Sequence, residues 1–211
     1  WNKKVLDSAV AIRIDGNAAD LNFRLVKDCR LEPIDVYSPE GLAILRHSTS
    51  HVMAHAVQKV FPGAKISIGP SIEDGFYYDF EYTTPFSTED LMKIEDKMRE
   101  IIKADYPFLR EELSREQAVE FFAARGEDYK VELIKDLPPD IKTVTLYKDG
   151  DFVDLCRGPH IPSTGKIKAF KLLNVAGAYW RGDEHNKMLH RIYGTSFADE
   201  KSLNDYLNLL E

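Results

Sequence analysis

Apolar and polar positions alternate loosely through "AVAIRIDG", and the run ends at Asp15-Gly16, a dipeptide suited to a tight turn. "CRLEPIDVY" predicts a further short strand, which makes residues 1–38 a small β-rich piece. The period then changes. Ser38 supplies an N-cap and Pro39 a first helical position, and the helix runs to about Val60 before Pro62-Gly63 stops it. At 100° per residue Leu42, Leu45, Thr49, Val52, Met53, Ala56 and Val60 gather on one side of that helix. His47, His51 and His55 form a row on the other side, off the core stripe, facing solvent or a cleft built by other strands.

Further along, "KISIG" and the aromatic-rich "GFYYDFEY" predict two paired strands. A helix begins at Ser87, carries Leu91, Ile94, Met98 and Ile101 at helical spacing and ends before Pro107. "SREQAVEFFAARG" predicts another, with Ser114 and Gln117 as a capping box and Gly126 as the C-cap. "YKVELI", "TVTLYKDGDFVDLC", "AFKLLNVAGAYW" and "MLHRIYGTSF" predict strands, with Asp149-Gly150 at a hairpin turn, and "ADEKSLNDYLNLL" a closing amphipathic helix. Strands mixed with helices, without regular βαβ alternation, predict an α+β fold: a mixed or antiparallel sheet with packed helices.

Composition narrows the function classes. A chain of 211 residues can bury a substantial core. Its two cysteines, Cys29 and Cys156, and the lack of an apolar run long enough to cross a bilayer predict a reducing cytoplasm and no membrane partner. A net charge of −7 excludes a nucleic-acid binder that relies on a broad basic field. Any RNA contact must be local. Lys166, Lys168, Lys171, Arg181, Lys187 and Arg191 form the candidate patch, although a solvated mixed-charge surface is the simpler reading of it.

Two half-motifs could carry chemistry. His47-x-x-x-His51 on a helix puts two imidazoles within reach of one small ligand, the spacing that zinc enzymes use. Cys156-x-x-x-His160, in a loop made compact by Gly158 and Pro159, could complete a tetrahedral set. Residue 48 is Ser, where the metalloprotease pattern has its glutamate base. Asp154 lies two residues before Cys156, so a strand points both side chains to one face. Lys130, at the start of the expected strand "YKVELI", is a candidate positioned cation or a plain surface residue. Tyr78 is a candidate pocket hydroxyl or an ordinary sheet aromatic.

Taken together, "RHSTSHVMAHA", "IGPSIEDGFYYDF", "RGEDYKVELI", "DLCRGPH" and "AGAYWRGDEHNKMLHRIYGT" resemble the N-terminal part of bacterial-type threonyl-tRNA synthetases, in the same order and over essentially the whole chain. The resemblance implies that residues 1–38 are the tail of a small β-grasp TGS domain and residues 39–211 an editing domain. The closing part resembles the second additional domain shared with alanyl-tRNA synthetases. It further implies hydrolysis of serine wrongly attached to tRNA(Thr), with His47 and Lys130 catalytic. Gly69, Tyr78, His51, Asp154, Cys156 and His160 would form the substrate pocket. The implied partners are the seryl-charged acceptor end of tRNA(Thr) and the catalytic and anticodon-binding domains of a full-length synthetase. Motifs of neither of those domains occur in this chain, so it is not expected to charge tRNA. No cofactor is expected for editing. A zinc-dependent ester hydrolase using His47, His51, Cys156 and His160, and a non-catalytic tRNA-docking module, are the alternatives.

Overall fold

The computed structural model describes residues 3–210, so the first two residues of the expected β-rich piece lie outside it. A helix the pattern did not predict, α1 (Lys3–Ser8), leads into β1 (Ala9–Ile14), β2 (Asn17–Ala19) and β3 (Leu31–Asp35). These strands form an antiparallel sheet in the order β2-β1-β3. Asp15 and Gly16, both at positive φ, make the tight turn between β1 and β2.

Next comes α2 (Pro39–Val60), whose start follows its sequence. The Ser38 hydroxyl accepts from the Gly41 N–H, and Pro39 fills the first turn, where its missing N–H costs nothing. Its surroundings depart from the two-faced expectation, because every residue from Ser48 to Val57 is buried. Of the histidine row, His51 and His55 are buried under groups from other strands, while His47 is partly buried and lines a cleft.

After α2 the chain forms β4 (Lys65–Ile66), β5 (Ser71–Ile72), β6 (Gly75–Glu81), α3 (Thr88–Ala104), β7 (Leu109–Ser114) and α4 (Arg115–Ala124). It continues through α5 (Asp128–Lys135), β8 (Thr143–Asp149), β9 (Phe152–Leu155), β10 (Ala169–Tyr179), β11 (Met188–Phe197) and α6 (Glu200–Leu210). The main sheet runs β10-β11-β6-β4, with β5 also bonded to β6, and a smaller sheet runs β7-β8-β9. Every pairing in these sheets is antiparallel, which gives the α+β class expected. Ser87 with Asp90 and Ser114 with Gln117 form reciprocal capping boxes at α3 and α4.

Two elements differ from the sequence reading. "YKVELI" is not a strand. It belongs to α5, which packs against α4 through Ile134 and Phe122. Its alternating Tyr129, Val131 and Leu133 mimic a strand, but its two β-branched residues, Val131 and Ile134, stand among good helix formers such as Lys130, Glu132, Leu133 and Lys135, and Gly126 at φ +70° turns the chain straight from one helix into the next. The pattern does not predict β7, because half of "LREELS" is charged and the strand lies at the edge of its sheet.

One core serves most of the molecule. Val52, Met53, Val57, Phe76, Tyr78 and Phe80 fill the space between α2 and the main sheet, and Val10, Ala11 and Ile34 from the first sheet join the same cluster. Burial of side chains this large supplies the main favourable term of folding.

Candidate active site

A cavity of about 550 Å³ opens where α2, α5, the end of β9 and the loop between β4 and β5 meet. His47, His51, Gly69, Lys130, Asp154 and Cys156 line it. Tyr78 and His160 are buried and bonded to these lining residues. The eight positions singled out in the sequence therefore form one connected cluster.

Four segments deliver the groups. α2 presents His47 and His51 one turn apart, β6 brings Tyr78, α5 brings Lys130, and β9 with its following loop brings Asp154, Cys156 and His160. Gly69 permits a close approach, because a Cβ there would collide with the Tyr78 ring.

At the floor lies a buried ionic group. Asp154 Oδ2 accepts from the Tyr78 hydroxyl at 2.6 Å, and Lys130 is ion-paired with Asp154 Oδ1. The Lys130 ammonium also donates to Tyr78 Oη at 2.9 Å and to the Ser67 carbonyl at 2.5 Å, which fixes its position beside Asp154. Burial, with the Asp154 charge beside it, holds the Tyr78 phenol well above its usual range, so this hydroxyl stays protonated and donates.

The wall is a set of imidazoles around one thiol. His47 Nδ1 lies 3.3 Å from the Gly69 carbonyl, which can only accept, so Nδ1 carries the hydrogen and Nε2 the lone pair. That Nε2 is 3.0 Å from Cys156 Sγ. His160 Nε2 is 3.3 Å from the same sulfur, and its Nδ1 is 2.9 Å from Ser48 Oγ. Ser48 also bonds the Ile44 carbonyl and receives the Ile161 N–H. Burial lowers the pKa of His47 and pushes His51 and His160 well down, with neighbouring imidazoles adding to the effect on the latter two. All three rings are neutral near pH 7. Burial also pushes the Cys156 thiol up to about 12, so it is protonated and a poor nucleophile despite its histidine neighbour.

Sequence reasoning missed several supports. Asp20, at the end of the first sheet, accepts from the His160 N–H at 2.8 Å and from the Tyr147 hydroxyl at 2.7 Å. Phe108 stacks on the His160 ring at 4.7 Å. Asp20 lies 140 residues from His160, and no spacing rule could have linked them. Ser48 stood in the sequence only as a missing glutamate, and it is the hydroxyl that orients His160.

The donor set suits a soft ion. One ligand atom from each of His47, His51, Cys156 and His160 lies within 4.8 Å of the others. His51 Nδ1 has no hydrogen-bond partner, and two imidazole nitrogens face a sulfur with a single hydrogen. Three neutral imidazoles and one cysteine match a tetrahedral zinc site.

The expected basic patch is mostly neutralised. Lys171 pairs with Glu95, Arg181 with Glu132 and Asp136, Lys187 with Glu81, and Arg191 with both oxygens of Asp79. It presents a mixed-charge surface rather than a basic field.

Residues 144–193 match the family model of the threonyl and alanyl tRNA synthetase second additional domain. That stretch runs from β8 through Cys156 and His160 to β11. Over nearly its whole length the chain is similar to part of threonine--tRNA ligases. It is 54% identical over 209 residues to the threonine--tRNA ligase of Nitratidesulfovibrio vulgaris, 57% identical over 210 residues to that of Oleidesulfovibrio alaskensis and 58% identical over 204 residues to that of a Geobacter species. These alignments cover 97–99% of this chain and 32% of each relative, so the chain spans about a third of the length of the relatives it matches.

Proposed function

We propose that this segment proofreads for a threonine--tRNA ligase by hydrolysing seryl-tRNA(Thr) to serine and tRNA(Thr). Residues 1–38 act as the tail of a TGS domain and residues 39–211 as the editing domain. Its partners are the acceptor end of tRNA(Thr) and the catalytic and anticodon-binding domains of the full-length ligase, in the cytoplasm. A synthetic site for threonine cannot strongly exclude serine, because one methyl group is worth roughly 1–3 kcal/mol, and a second hydrolytic sieve answers that need.

The observation that carries the reading is the neutral His47 at the wall of a cavity floored by the Lys130–Asp154–Tyr78 group: its lone-pair Nε2 lies beside the Cys156 thiol and is free to accept when the thiol hydrogen turns to His160. An aminoacyl ester is already activated, so a positioned water and a stabilised oxyanion are sufficient. His47 Nε2 accepts a proton from that water as the water attacks the ester carbonyl. The tetrahedral oxyanion forms near the Lys130 charge. It collapses with departure of the ribose oxygen, which takes the proton back from His47. Asp154, His51, Cys156 and His160 shape the pocket for the serine, and Gly69 packed on the Tyr78 ring supplies a rigid wall against an added methyl group.

The test is deacylation of seryl-tRNA(Thr) and threonyl-tRNA(Thr) by the same protein. The sieve predicts serine faster by about tenfold to a hundredfold, the cost of overpacking a closed site by one methyl. Equal rates would recast the module as a general aminoacyl-ester hydrolase, and no hydrolysis would leave the docking reading.

The donor set supports a second reading, in which zinc held by His47, His51, Cys156 and His160 supplies Lewis-acid chemistry for the same hydrolysis. Elemental analysis separates the two. Stoichiometric zinc lost in Cys156→Ser favours the metal; full activity in chelator with trace zinc favours water and His47 alone.

A further inference from the structure

Asp20 lies one position beyond β2, the edge strand of the first sheet, and is the last buried residue before the exposed stretch 21–28. Its two oxygens serve groups 140 and 127 residues away in the chain, the His160 N–H at Oδ1 and the Tyr147 hydroxyl at Oδ2. Both partners are neutral donors. Burial and the bond to Asp20 push the Tyr147 phenol up, so its hydroxyl stays protonated and donates.

The two partners frame one loop. Tyr147 packs its ring against the His160 ring at 4.5 Å, and its hydroxyl occupies the place a Cβ on Gly158 would need. Gly158, at φ +70°, donates its N–H to Cys156 Sγ at 3.2 Å. The Asp20 carboxylate therefore fixes the 156–160 loop twice, at its main chain and through the tyrosine packed on it.

Where His160 sits matters to its neighbours. Ser48 Oγ gives its one hydrogen to the Ile44 carbonyl, so the contact between Ser48 and His160 is donated by Nδ1–H, which leaves His160 Nε2 with the lone pair. The Cys156 thiol then has one hydrogen and two imidazole acceptors, His160 Nε2 and His47 Nε2. With His160 seated, the hydrogen can turn to it. With His160 displaced, His47 Nε2 is left to take it, and that is the nitrogen hydrolysis needs free.

We propose that Asp20 is a positioning residue for the hydrolysis: through this carboxylate the first sheet seats the 156–160 loop, so that His160 takes the thiol hydrogen and His47 is left as base. The inference rests on the reading that His47 accepts a proton during ester hydrolysis.

Asp20→Ala should lower kcat for seryl-tRNA(Thr) about tenfold to a hundredfold, the scale of a small misplacement in a site, and leave KM within about twofold. Asp20→Asn, whose amide can still accept from the His160 N–H and reach Tyr147 Oη, should restore most of the rate. Ile34→Val loosens the same sheet, leaves the carboxylate in place and should keep the parental rate. A second readout needs no reaction. The His160 ring packs against Phe108 and Tyr147, so ring currents displace its proton resonances, and these should move in Asp20→Ala but not in Ile34→Val. An Asp20→Ala kcat equal to the parent's, a loss confined to KM, or the same loss in Ile34→Val would overturn the proposal. Should Asp20→Ala not fold, Tyr147→Phe replaces it: removing that one hydrogen bond should slow hydrolysis by less than about tenfold and shift the same resonances, and no change in either would overturn the proposal. The two readings fail separately. A parent protein that leaves seryl-tRNA(Thr) intact refutes the catalytic reading, whereas His160 resonances unmoved by Asp20→Ala refute the seating.

Discussion

His51 and His55 stand one turn apart on the same face of α2, and their surroundings differ. His51 lies among imidazoles, with the rings of His47 and His160 centred 4.8 and 4.4 Å away and one carboxylate, Asp154, 3.5 Å from its Nε2, and burial drives it toward the neutral form. His55 instead meets carboxylates at both nitrogens: Asp149 Oδ1 lies 2.5 Å from Nδ1 and Asp151 Oδ1 3.0 Å from Nε2, while the ring stacks on Phe152. An acceptor at each nitrogen needs a proton at each, supplied by the ring or by Asp149, whose carboxyl burial pushes up to about 6. Helical spacing chose the face. The β8–β9 hairpin chose the chemistry, placing carboxylates at its turn against His55 and the thiol after its end against His47. His55 therefore clasps the hairpin to the helix, and His47 and His51 are left for the ligand.

The largest separation should appear in hydrolysis. His47→Ala and Lys130→Ala should each slow deacylation about 10²–10⁴-fold. His55→Ala should keep the rate of the folded protein near that of the parent, and an equal loss there would erase the distinction between the two turns. Lys130→Ala must be read beside its stability, because removing the cation leaves a buried Asp154 carboxylate without its charge partner, at a cost of about 3–5 kcal/mol.

Unfolding against pH sharpens the same contrast. His47, His51 and His160 resist protonation when folded, so as pH falls through the ordinary histidine value of 6.5 the unfolded chain binds protons that the folded chain does not. Stability is then lost on acidification, by up to about 1.4 kcal/mol per pH unit for each such histidine. A flat profile from pH 7 to 5 would contradict their buried neutral state.

For His55→Ala the expected loss near pH 7 is about 1–3 kcal/mol, from orphaning buried Asp149. The exposed Asp151 contributes little. Since the Asp149 carboxyl is held up by burial, and its protonated form is easier to keep inside, this deficit should shrink as pH falls below about 6. Denaturant midpoints at two pH values check the sign. The smallest effect belongs to Cys156→Ser in the metal-free case. A serine hydroxyl can still donate to His47, so the change should stay near 1 kcal/mol, less than tenfold in rate.

Local chemistry made much of this molecule legible in its sequence. Ser38, Ser87 and Ser114 announced three helix starts because capping involves neighbours only, and Asp15-Gly16 and Asp149-Gly150 announced turns for the same reason. The two histidine–cysteine half-motifs were visible because each keeps its spacing on one element. Short segments with mixed signals were not legible: α5 imitates a strand, and only its packing against α4 resolves it.

The sequence alone determined which residues could do chemistry and on which face of α2 three histidines lie, since backbone periodicity is a local property. Only the tertiary structure decided that His51 and His55 are buried, that Asp20 supports His160 from the far end of the chain, that Lys130 comes from a helix, and that His55 holds a hairpin while His47 faces a cavity. The physical reason is that charge state and hydrogen-bond partner depend on what approaches from elsewhere in the chain. Desolvation and a carboxylate within bonding distance change an imidazole's behaviour far more than its neighbours in sequence do.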